Sequence, residues 1–589
     1  MTLKPTPRAV VLAASVMLRH VTEDPVRAVT LAWRALPAPL RGWLRFAGAY
    51  GRAAALWGAG DRRGALTALE ARPARLAAFS LAVDQPTVAR SAIARLSERN
   101  SDRPLLAARL AYREGRLSDA VRELDGARTP RALRLRRAYQ AEIDMLEPGG
   151  LSSPRTSGGS SPRQGEWGAG ASHAQRGSRG DRSPRAGTVL HIVTDALPST
   201  SAGYTIRTQE IAVAQRMAGL EPHVCTRIGF PVTAGTIDGR PLVTVDGVPY
   251  HRLLPWIMPA RMDRLYAAHL SLAAGLVQRL RPAVLHAASN YANAVIALAL
   301  RDGTQLPVIY EVRGFWEDTW LSRHAAVADL RRSDRYTRTR ALETHCMTES
   351  DLVVTLGEAM REEILERGVD PERVIIVPNG VSEEFLRPLP GGRDELRRGL
   401  GIAGNEFAVG LVSSLVAHEG IGTLLHAVKI LRDRGIPARA LIVGDGPEGG
   451  ALKRQAAELG LDAIFTGRVP SARVRDYHAA LDVFVVPRTP DRVCQLVTPL
   501  KPVEAMASGL PVVVSGVRAL GELVADGETG LLFPPLDAGA LADCLAKLRD
   551  SPELRAKLGT SARESVARDR TWAHNAARYR DAYQRLGAL

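Results

Sequence analysis

Short apolar runs alternate with amphipathic stretches along the last two-thirds of the chain. One series reads "VLHIV", "EPHVCT", "AVLHAAS", "PVIYEV", "LVVTL" and "RVIIV", and a second reads "FAVGLV", "ARALIVG", "AIFTG", "DVFVV" and "LPVVVS". Short continuous apolar runs between helical segments are typical of buried parallel strands in α/β units. The two series predict an α/β protein with two Rossmann-like domains facing a cleft, over residues 188–385 and 386–570. A last amphipathic helix is expected over residues 571–589.

Residues 1–147 show helical periodicity without strand patterns. The segments "WGAGDRRGALTALEA" and "LAARLAYREGRLSDAVRELDGA" share one plan, in which an apolar helix, a glycine turn and a second helix with Ala and Leu on one face follow one another. They resemble degenerate tetratricopeptide-type helical hairpins, which usually bind partners. The alternative is a plain helical bundle that packs on its neighbour. Either structure gives an all-α module in front of the α/β domains.

Two further segments bear on organisation. Residues 148–187 are dominated by Gly, Ser, Pro and Arg, which predicts a flexible basic linker. The apolar run "AVVLAASVML" over residues 9–18 has only ten residues between Arg8 and Arg19, too few to span a bilayer. It is expected to form a core helix, and an interfacial helix is the alternative.

Charge is unevenly placed along the chain. The net charge is +16, and residues 1–147 contribute +11 of it, with 25 Arg and Lys against 14 Asp and Glu. Such an appended basic module is suited to anionic lipid headgroups or a protein partner. The front module shows little aromatic interleaving, so nucleic acid is not expected as a partner. The four cysteines have no CxxC spacing, which predicts neither disulfides nor zinc and fits a reducing compartment.

The stretch "VTPLKPVEAMASG" over residues 497–509 places a lysine where positive charge is disfavoured. Thr498 is predicted as the N-cap and Pro499 as the first helical residue, so Lys501 falls in the first turn, where acidic residues are preferred. A bound phosphate would compensate for the lysine, and Glu504, three residues on, could accept hydrogen bonds from a ribose diol. The alternative is a plain Lys501–Glu504 ion pair on a solvated helix face.

Several segments in order resemble retaining family-4 glycosyltransferases of the GT-B fold, and most closely the bacterial exopolysaccharide and exosortase-associated type. They are "LPSTSAGYTIRT", "VLHAASNYANA", "VIYEVRGFWED", "RYTRTRALET", "VPNGV", "SSLVAHEG", "VGDGPE", "FTGRV" and "VTPLKPVEAMASGLPVV". The resemblance covers residues 188–589. It implies that the first domain binds the acceptor and the second a nucleotide-sugar, with reaction in the cleft and no metal or other cofactor.

The resemblance also assigns residues to the donor. Glu504 matches the glutamate that holds the ribose diol, Lys501 would contact the diphosphate, and amides around Thr498 would cradle the phosphates and the sugar. Three loops supply further donor-binding positions. Gly203 would allow close approach to the phosphates, and the Arg468–Val469 turn would lie near the base. Ser413 and Ser414 would occupy the first loop of the donor domain.

The cluster "RGFWED" supplies the candidate catalytic groups. Arg313 could stabilise the diphosphate, and Glu317 or Asp318 could orient an acceptor hydroxyl, because residues beyond the carboxyl ends of parallel strands line the cleft. The alternative is an aromatic loop with solvated acids. His286 is a further catalytic candidate, although a structural role at the end of its strand is the favoured alternative.

Four positions depart from the family pattern. Leu496 and Ala288 stand where a glutamate and a second histidine occur, while Ser414 and Glu419 replace an arginine and a lysine. The resemblance implies a retaining transferase that moves a sugar, expected from a UDP-sugar, to a lipid-linked or polysaccharide acceptor. The expected location is the cytoplasm or the inner face of the cell membrane. The departures leave a second hypothesis open, a non-catalytic scaffold that acts through its helical arm.

Overall fold

The computed structural model describes residues 6–24, 26, 48–149, 183–322, 324, 330–389 and 391–589. Most of the predicted linker, residues 150–182, lies outside the described residues. The predicted end of the linker at residue 187 is wrong, because the first strand already begins at Arg185. This extension is held by hydrogen bonds, since the Arg185 amide donates to the Arg281 carbonyl at 2.7 Å and the Gly187 amide to the Ala588 carbonyl at 3.0 Å.

The first α/β domain is built on an eight-stranded sheet in the order β3-β4-β2-β1-β5-β6-β7-β8. Only β3 runs antiparallel to its neighbour, and the other pairings are parallel. The strands are β1 Arg185–Val193, β2 Glu221–Thr226, β3 Leu242–Val245, β4 Val248–Arg252, β5 Pro282–Ala288, β6 Val308–Glu311, β7 Leu352–Thr355 and β8 Val374–Ile376.

The second α/β domain has a six-stranded parallel sheet in the order β11-β10-β9-β12-β13-β14. Its strands are β9 Phe407–Val412, β10 Ala438–Val443, β11 Ile464–Gly467, β12 Val483–Val486, β13 Val512–Ser515 and β14 Leu531–Phe533. The central strands β9, β12 and β13 are buried along their whole length, as their uninterrupted apolar runs predict.

Helices cover both sheets and precede them. The described helices before β1 are α1 Pro7–Glu23, α2 Gly48–Gly58, α3 Arg62–Thr67, α4 Pro73–Ala82, α5 Pro86–Ala94, α6 Arg103–Arg113, α7 Leu117–Arg122 and α8 Pro130–Leu146. Those of the first domain are α9 Gly203–Met217, α10 Met262–Leu280, α11 Tyr291–Thr304, α12 Trp316–Ser322, α13 Asp334–Glu349 and α14 Glu358–Glu366. Those that follow are α15 Arg393–Gly399, α16 Ile421–Asp433, α17 Gly449–Glu458, α18 Val474–Ala480, α19 Arg492–Leu496, α20 Lys501–Ala507, α21 Arg518–Gly521, α22 Ala538–Asp550, α23 Pro552–Asp569 and α24 Trp572–Arg585.

The helices of the front module pack as successive pairs, α2 on α3, α4 on α5 and α6 on α7. This agrees with helical hairpins, while membership of the tetratricopeptide class stays a prediction. The last helices are not separate from the α/β part, because buried residues of α6 to α8 share one apolar core with α10, α11 and α13. The Asp334 carboxylate of α13 accepts hydrogen bonds from the amides of Leu117 and Ser118, at 2.6 and 2.7 Å. Residues 103–146 therefore pack on the first α/β domain and share its core.

Helix α1 lies against the first α/β domain rather than in the front module's own core. Ala9 and Leu12 are buried against Val232 and Leu254. Other apolar side chains of α1, among them Met17 and Val21, are 64% and 50% exposed, so only part of the helix packs in a core. No described helix is long and apolar enough to cross a membrane.

The chain returns to the first domain at its end. Helix α24 packs on α9, and its residues Tyr579 and Tyr583 are fully buried in a core cluster with residues of β1, β5 and β6. The predicted terminal helix therefore completes the first α/β domain after the chain has built the second.

Candidate active site

The loops that follow the carboxyl ends of the two sheets meet between the domains. The Arg468 guanidinium, just after β11, donates a 3.0 Å hydrogen bond to the Ser201 carbonyl, two residues before α9. The Asn379 side chain of the first domain donates to the Thr498 carbonyl of the second at 2.8 Å. These contacts bring the Gly203 loop, the Arg468–Val469 turn and the segment before α20 to one cleft, where ligands bind in open α/β sheets.

Lys501 and Glu504 lie at the start of α20. The helix begins at Lys501, with Leu500 as its cap residue, so the predicted N-cap at Thr498 and helical Pro499 are wrong. The reason is that the Thr498 carbonyl accepts from Asn379, while the Leu500 carbonyl accepts the first helical amides, from Val503 and Glu504. Lys501 Nζ donates to Glu504 Oε2 at 3.0 Å, and the glutamate side chain is only 7% exposed. A basic and an acidic group are thus held together at the cleft.

Gly203 and Arg313 lie next to one another on the first domain. Gly203 is exposed, and a Cβ there would meet no atom within 4 Å. The Arg313 guanidinium is fixed beneath this loop, where Nη1 donates to the Tyr204 carbonyl at 2.8 Å and to the Thr208 hydroxyl at 2.7 Å. Arg313 Nη2 makes no hydrogen bond to any described residue. The structure therefore brings together two of the predicted site residues, one offering open space and the other a positive charge.

Arg313 is held by a buried polar network. Glu311 accepts from Arg313 Nε at 2.9 Å and from Arg207 Nε at 2.7 Å. Burial alone would raise the pKa of Glu311, but the guanidiniums of Arg313 and Arg207 outweigh it and hold the pKa well below its usual range. The charged carboxylate in turn fixes the orientation of Arg313.

His286 belongs to the same network and not to the cleft surface. Its side chain is fully buried, with Nδ1 2.9 Å from the Tyr583 hydroxyl and Nε2 2.9 Å from Glu311 Oε2. Burial lowers the pKa of the imidazole despite the nearby carboxylate. The prediction of a catalytic His286 is therefore wrong for this arrangement, because both ring nitrogens are already used and no substrate can reach them. It positions Glu311, and through it Arg313.

Glu317 is likewise removed from the cleft. Its side chain is fully buried in an ion pair with Arg367 at 2.7 Å, and burial is the main reason why its pKa is raised. Its neighbour Asp318 accepts from the Tyr336 hydroxyl at 3.0 Å and from Arg492 Nε of the second domain at 3.1 Å. The predicted acceptor-orienting role of these acids is wrong in this geometry, because both acids hold elements together. Arg492 is thereby paired with Asp318 of the first domain.

The first loop of the second α/β domain contains Ser413 and Ser414, directly after β9. Glu419, which stands where a lysine was expected, accepts from Arg488 Nη2 at 2.7 Å. Burial would raise the pKa of Glu419, but Arg488 and His418 lower it overall, so the pair is ionic. Arg488 Nη1 also donates to the Val497 carbonyl at 2.9 Å. Sequence reasoning missed Arg488, although its place just after the apolar strand β12 was a usable signal.

Leu496 explains one further departure from the family pattern. Its side chain is buried in the apolar core cluster of the first domain, among residues that include Phe315 and Met360. Val497 approaches Gly314 of the first domain, where a Cβ would lie 3.5 Å from its methyl group. The position at which a charged residue was expected is therefore used for apolar contact between the domains.

Glu210 of α9 is a further acidic residue that sequence reasoning missed. Burial raises its pKa to about 7, and the charges of Glu504, Asp246 and Glu384 add to the effect. The first of these lies in the other domain, so the charge of Glu504 acts on Glu210 across the domain boundary. No group of three or more His, Cys, Asp or Glu residues in the described part of the chain is placed to hold a metal ion.

Solved structures share this architecture. Sucrose-phosphate synthase from Thermosynechococcus elongatus superposes with a TM-score of 0.55 at 20% identity, covering 68% of this chain and 99% of that one. A complex of Anabaena Alr3699/HepE with UDP-glucose superposes with a TM-score of 0.52 at 18% identity, covering 67% of this chain and 99% of that one. Two Rossmann-like domains with a cleft at the carboxyl ends of their strands define the GT-B class of proteins.

Sequence comparison gives the family. Residues 202–380 match the glycosyl transferase 4-like domain, and residues 392–565 match the glycosyl transferases group 1. D-inositol 3-phosphate glycosyltransferase of Corynebacterium efficiens is 31% identical over 326 residues, which cover 50% of this chain and 74% of that protein. The protein of the same name from Corynebacterium glutamicum is 29% identical over 406 residues, covering 65% of this chain and 91% of that protein. The chain belongs to the group 1 glycosyltransferases, and it is an enzyme of that kind.

Proposed function

We propose that the protein transfers a sugar, with retention of configuration, from a nucleotide-sugar to a lipid-linked or polysaccharide acceptor in the synthesis of cell-surface polysaccharide. The observation that carries the donor half of this proposal is the Lys501–Glu504 pair, in the domain whose Arg468 contacts the Gly203 loop at Ser201. A UDP-sugar is the expected donor, and the Anabaena structural neighbour is named in complex with UDP-glucose.

The residues of the cleft have separate tasks in this proposal. Lys501 exchanges its contact with Glu504 for the negative diphosphate, and the released Glu504 carboxylate accepts from the two ribose hydroxyls. Arg313 adds positive charge from beneath the Gly203 loop. Thr498, Ser413 and Ser414 offer amides and hydroxyls to the phosphates and sugar, and the Arg468–Val469 turn faces the base.

A front-face transfer fits a cleft whose histidine is buried. The bond between the sugar carbon and the leaving phosphate oxygen breaks while the acceptor oxygen bonds to the same face of that carbon. The acceptor proton passes to an oxygen of the departing phosphate. The protein then contributes positioning and stabilisation of the leaving diphosphate, which need cationic groups such as Lys501 and Arg313 rather than a strong base.

The acceptor has two candidates. The relatives are named for D-inositol 3-phosphate, which makes this soluble phosphorylated polyol an acceptor to be assayed. The basic front module, with +11 of the net charge, and the exposed apolar face of α1 favour a lipid-linked acceptor at an anionic surface. Parallel transfer assays with the two acceptor types decide between them.

The donor site is tested by Glu504→Ala in the full-length protein. A buried carboxylate that accepts from ribose hydroxyls contributes about 1.5–3 kcal/mol, so nucleotide-sugar affinity should fall roughly 10- to 100-fold. Isothermal titration with UDP-, GDP- and ADP-sugars, followed by donor hydrolysis, measures the loss. The matched control is Glu528→Ala, an exposed acid of the same domain. Unchanged affinity in Glu504→Ala would contradict the assignment, and wild-type protein that binds no nucleotide-sugar would favour the scaffold hypothesis.

A further inference from the structure

A cavity of about 450 Å³ lies in the second α/β domain, at the edge of its sheet that points away from the cleft. Its wall includes Phe407, the first residue of β9, and Asp482, which directly precedes β12. Both residues stand at the amino ends of parallel strands, whereas the cleft lies at the carboxyl ends. The six residues of β9 separate the cavity from the loop of Ser413 by roughly 17 Å. A volume of this size is typical of small-molecule sites.

Arginine is the commonest residue in the wall of this cavity. Five positive and three negative side chains give the wall a net charge of +2. They come from α15, from the segments that lead into β9 and β12, and from the end of α22 and the start of α23. The charged residues are Arg393, Asp394, Arg397, Arg398, Glu406, Asp482, Arg549 and Arg555. We call this space the arginine cavity.

Two of the acids in the wall are already neutralised by arginines. Asp482 forms ion pairs with Arg393 at 2.6 Å and with Arg397 at 3.1 Å. Glu406 pairs with Arg439 at 2.9 Å, and Arg439 is not part of the wall. These two carboxylates therefore have no negative charge left over for the remaining arginines of the arginine cavity.

Arg398 and Arg555 form no ion pair with any described acidic residue. Arg398 Nε donates to the Asp394 carbonyl at 3.3 Å, and its two terminal nitrogens donate to no described residue. Arg555 Nη1 donates to two carbonyls at the end of α22, at 2.5 and 2.9 Å, which leaves Nε and Nη2 without a partner in the described part of the chain. The Arg555 guanidinium lies 5.7 Å from the Phe407 ring centre, so it is held over the wall.

The other charges near these two arginines lie at the rim. Asp394 is exposed, and the exposed Arg549 pairs with Asp550 at 2.8 Å, a kind of contact that is weak in water. Glu553 is exposed and does not line the arginine cavity, and residues two apart on a helix do not face each other, so it does not pair with Arg555. The wall therefore offers more positive charge than its own acids use.

The arginine cavity lies between the two helices that connect the second domain to the first. Helix α15 is the first helix after the chain enters the second domain, and α23 is the last before the chain returns. The two crossings lie side by side, because the Val381 amide donates to the Arg570 carbonyl at 2.8 Å and the Trp572 amide to the Val381 carbonyl at 3.2 Å. A ligand held between α15 and α23 therefore contacts both connecting helices.

We infer that the arginine cavity binds a small phosphate-bearing anion. Guanidinium groups donate paired hydrogen bonds to phosphate oxygens, and the unused donors of Arg398 and Arg555 supply them from α15 and α23. The bound anion compensates for the excess positive charge and ties the two helices together. The site is independent of the proposed function, because none of its residues belongs to the donor cleft.

The experiment titrates pyrophosphate into the full-length protein by calorimetry. The combined substitution Arg398→Gln and Arg555→Gln should lower the affinity at least tenfold. Arg398→Gln alone should lower it severalfold, and its melting temperature should match that of wild type because Arg398 is exposed. The matched control is the pair Arg454→Gln and Arg568→Gln, which removes two exposed arginines of the same domain that do not line the arginine cavity. It should bind pyrophosphate within twofold of wild type.

Lys501→Gln separates the arginine cavity from the donor cleft, where a diphosphate is also proposed to bind. Pyrophosphate in the arginine cavity should bind this variant as it binds wild type. Wild-type protein that binds no pyrophosphate overturns the inference, as does equal loss in the control pair, or a loss caused by Lys501→Gln and not by the cavity substitutions. Citrate that binds more tightly than pyrophosphate would contradict the choice of phosphate. Nucleotide-sugar binding by Arg398→Gln reports on the proposed function separately.

Discussion

Glu210 is an acid of the first domain whose protonation is affected by the charge of Glu504 in the second domain. Burial and the charge of Glu504 raise its pKa to about 7, so the carboxyl is largely protonated below that pH. Above it the carboxylate repels both Glu504 and any bound phosphate.

We expect nucleotide-sugar affinity to fall roughly three- to tenfold between pH 6 and pH 8, because ionised Glu210 opposes the diphosphate. Glu210→Gln should keep the low-pH affinity throughout. The diphosphate of a nucleotide-sugar does not titrate in this range, so calorimetric titration at several pH values isolates the protein's contribution. If wild type and Glu210→Gln share one pH profile, Glu210 does not face the ligand.

The contribution of Glu210 to the free energy of unfolding should also decrease as the pH rises. A carboxyl whose folded-state pKa of about 7 exceeds its ordinary 4.5 binds more protons in the folded state. Its contribution is therefore present at low pH and is lost as the pH rises from about 4.5 to 7. Removing the titrating group in Glu210→Gln removes that slope.

Sequence reasoning reached Lys501 and Glu504 because a lysine in a first helical turn conflicts with a local preference. It could not reach Glu210 or Asn379, since their significance comes from partners far along the chain. His286 and Glu317 are the opposite case, because the sequence suggested a catalytic role for them and the structure buries both. Their residue types suited catalysis, but whether such a group faces a cleft or a core depends on packing that no local pattern reveals.

At the scale of elements, Glu522 of the second domain caps a helix of the first. Its carboxylate accepts from the amides of Glu358 and Ala359, at 2.8 and 2.5 Å, at the start of α14. Gly357 makes room for it, because a Cβ there would lie 2.4 Å from the carboxylate oxygen. The contact joins the domains on the side of the interface where Arg492 also meets Asp318.

Glu522→Ala should lower the free energy of unfolding by about 0.5–2 kcal/mol, as loss of a helix cap does. Gly357→Ala should cost a similar amount by displacing the same carboxylate. The double variant should be little worse than either single one, because both remove one interaction. Urea denaturation measures the effects, with Glu528→Ala as the control. Fully additive losses would contradict a shared contact.

Apolar periodicity predicted most strands and missed three. Strands β3 and β4 form a hairpin at the sheet edge, where β3 is only partly buried, so the apolar signal is weak. The Asp246–Gly247 pair between them has φ values of 47° and 80°. Asp-Gly is a known hairpin signal, and it could have predicted this turn. Strand β14, of three residues, is the third strand that the apolar pattern does not predict.

At the scale of the whole molecule, the helices of the front module pack in two different apolar cores. Residues of α2 to α5 bury their apolar faces mainly among themselves, whereas α6 to α8 share the core of the first α/β domain. Gly115 adds to this junction, since its carbonyl accepts from the Arg335 amide at 2.9 Å. The periodicity of residues 1–147 predicted helices but gave no sign of this division.

Truncation should reveal that division. A chain beginning at residue 99 keeps α6 to α8 and should fold and hydrolyse donor. A chain beginning at residue 183 exposes the apolar faces of α10 and α13 and should melt at a lower temperature or aggregate. Calorimetric melting and donor hydrolysis on both truncations make the comparison. Equal melting temperatures for the two would show that the shared core adds no stability.

Helix α24 is synthesised after the second domain but contributes hydrogen bonds to the first domain. The Tyr579 hydroxyl lies 3.0 Å from Glu311, and that of Tyr583 lies 2.9 Å from His286, both deep in the first domain. A nascent chain therefore cannot complete the hydrogen bonds of Glu311 and His286 until residues 579 and 583 have left the ribosome. The first domain therefore completes its folding only after the second domain has been synthesised. A chain that stops before residue 579 would lack these hydrogen bonds in the first domain.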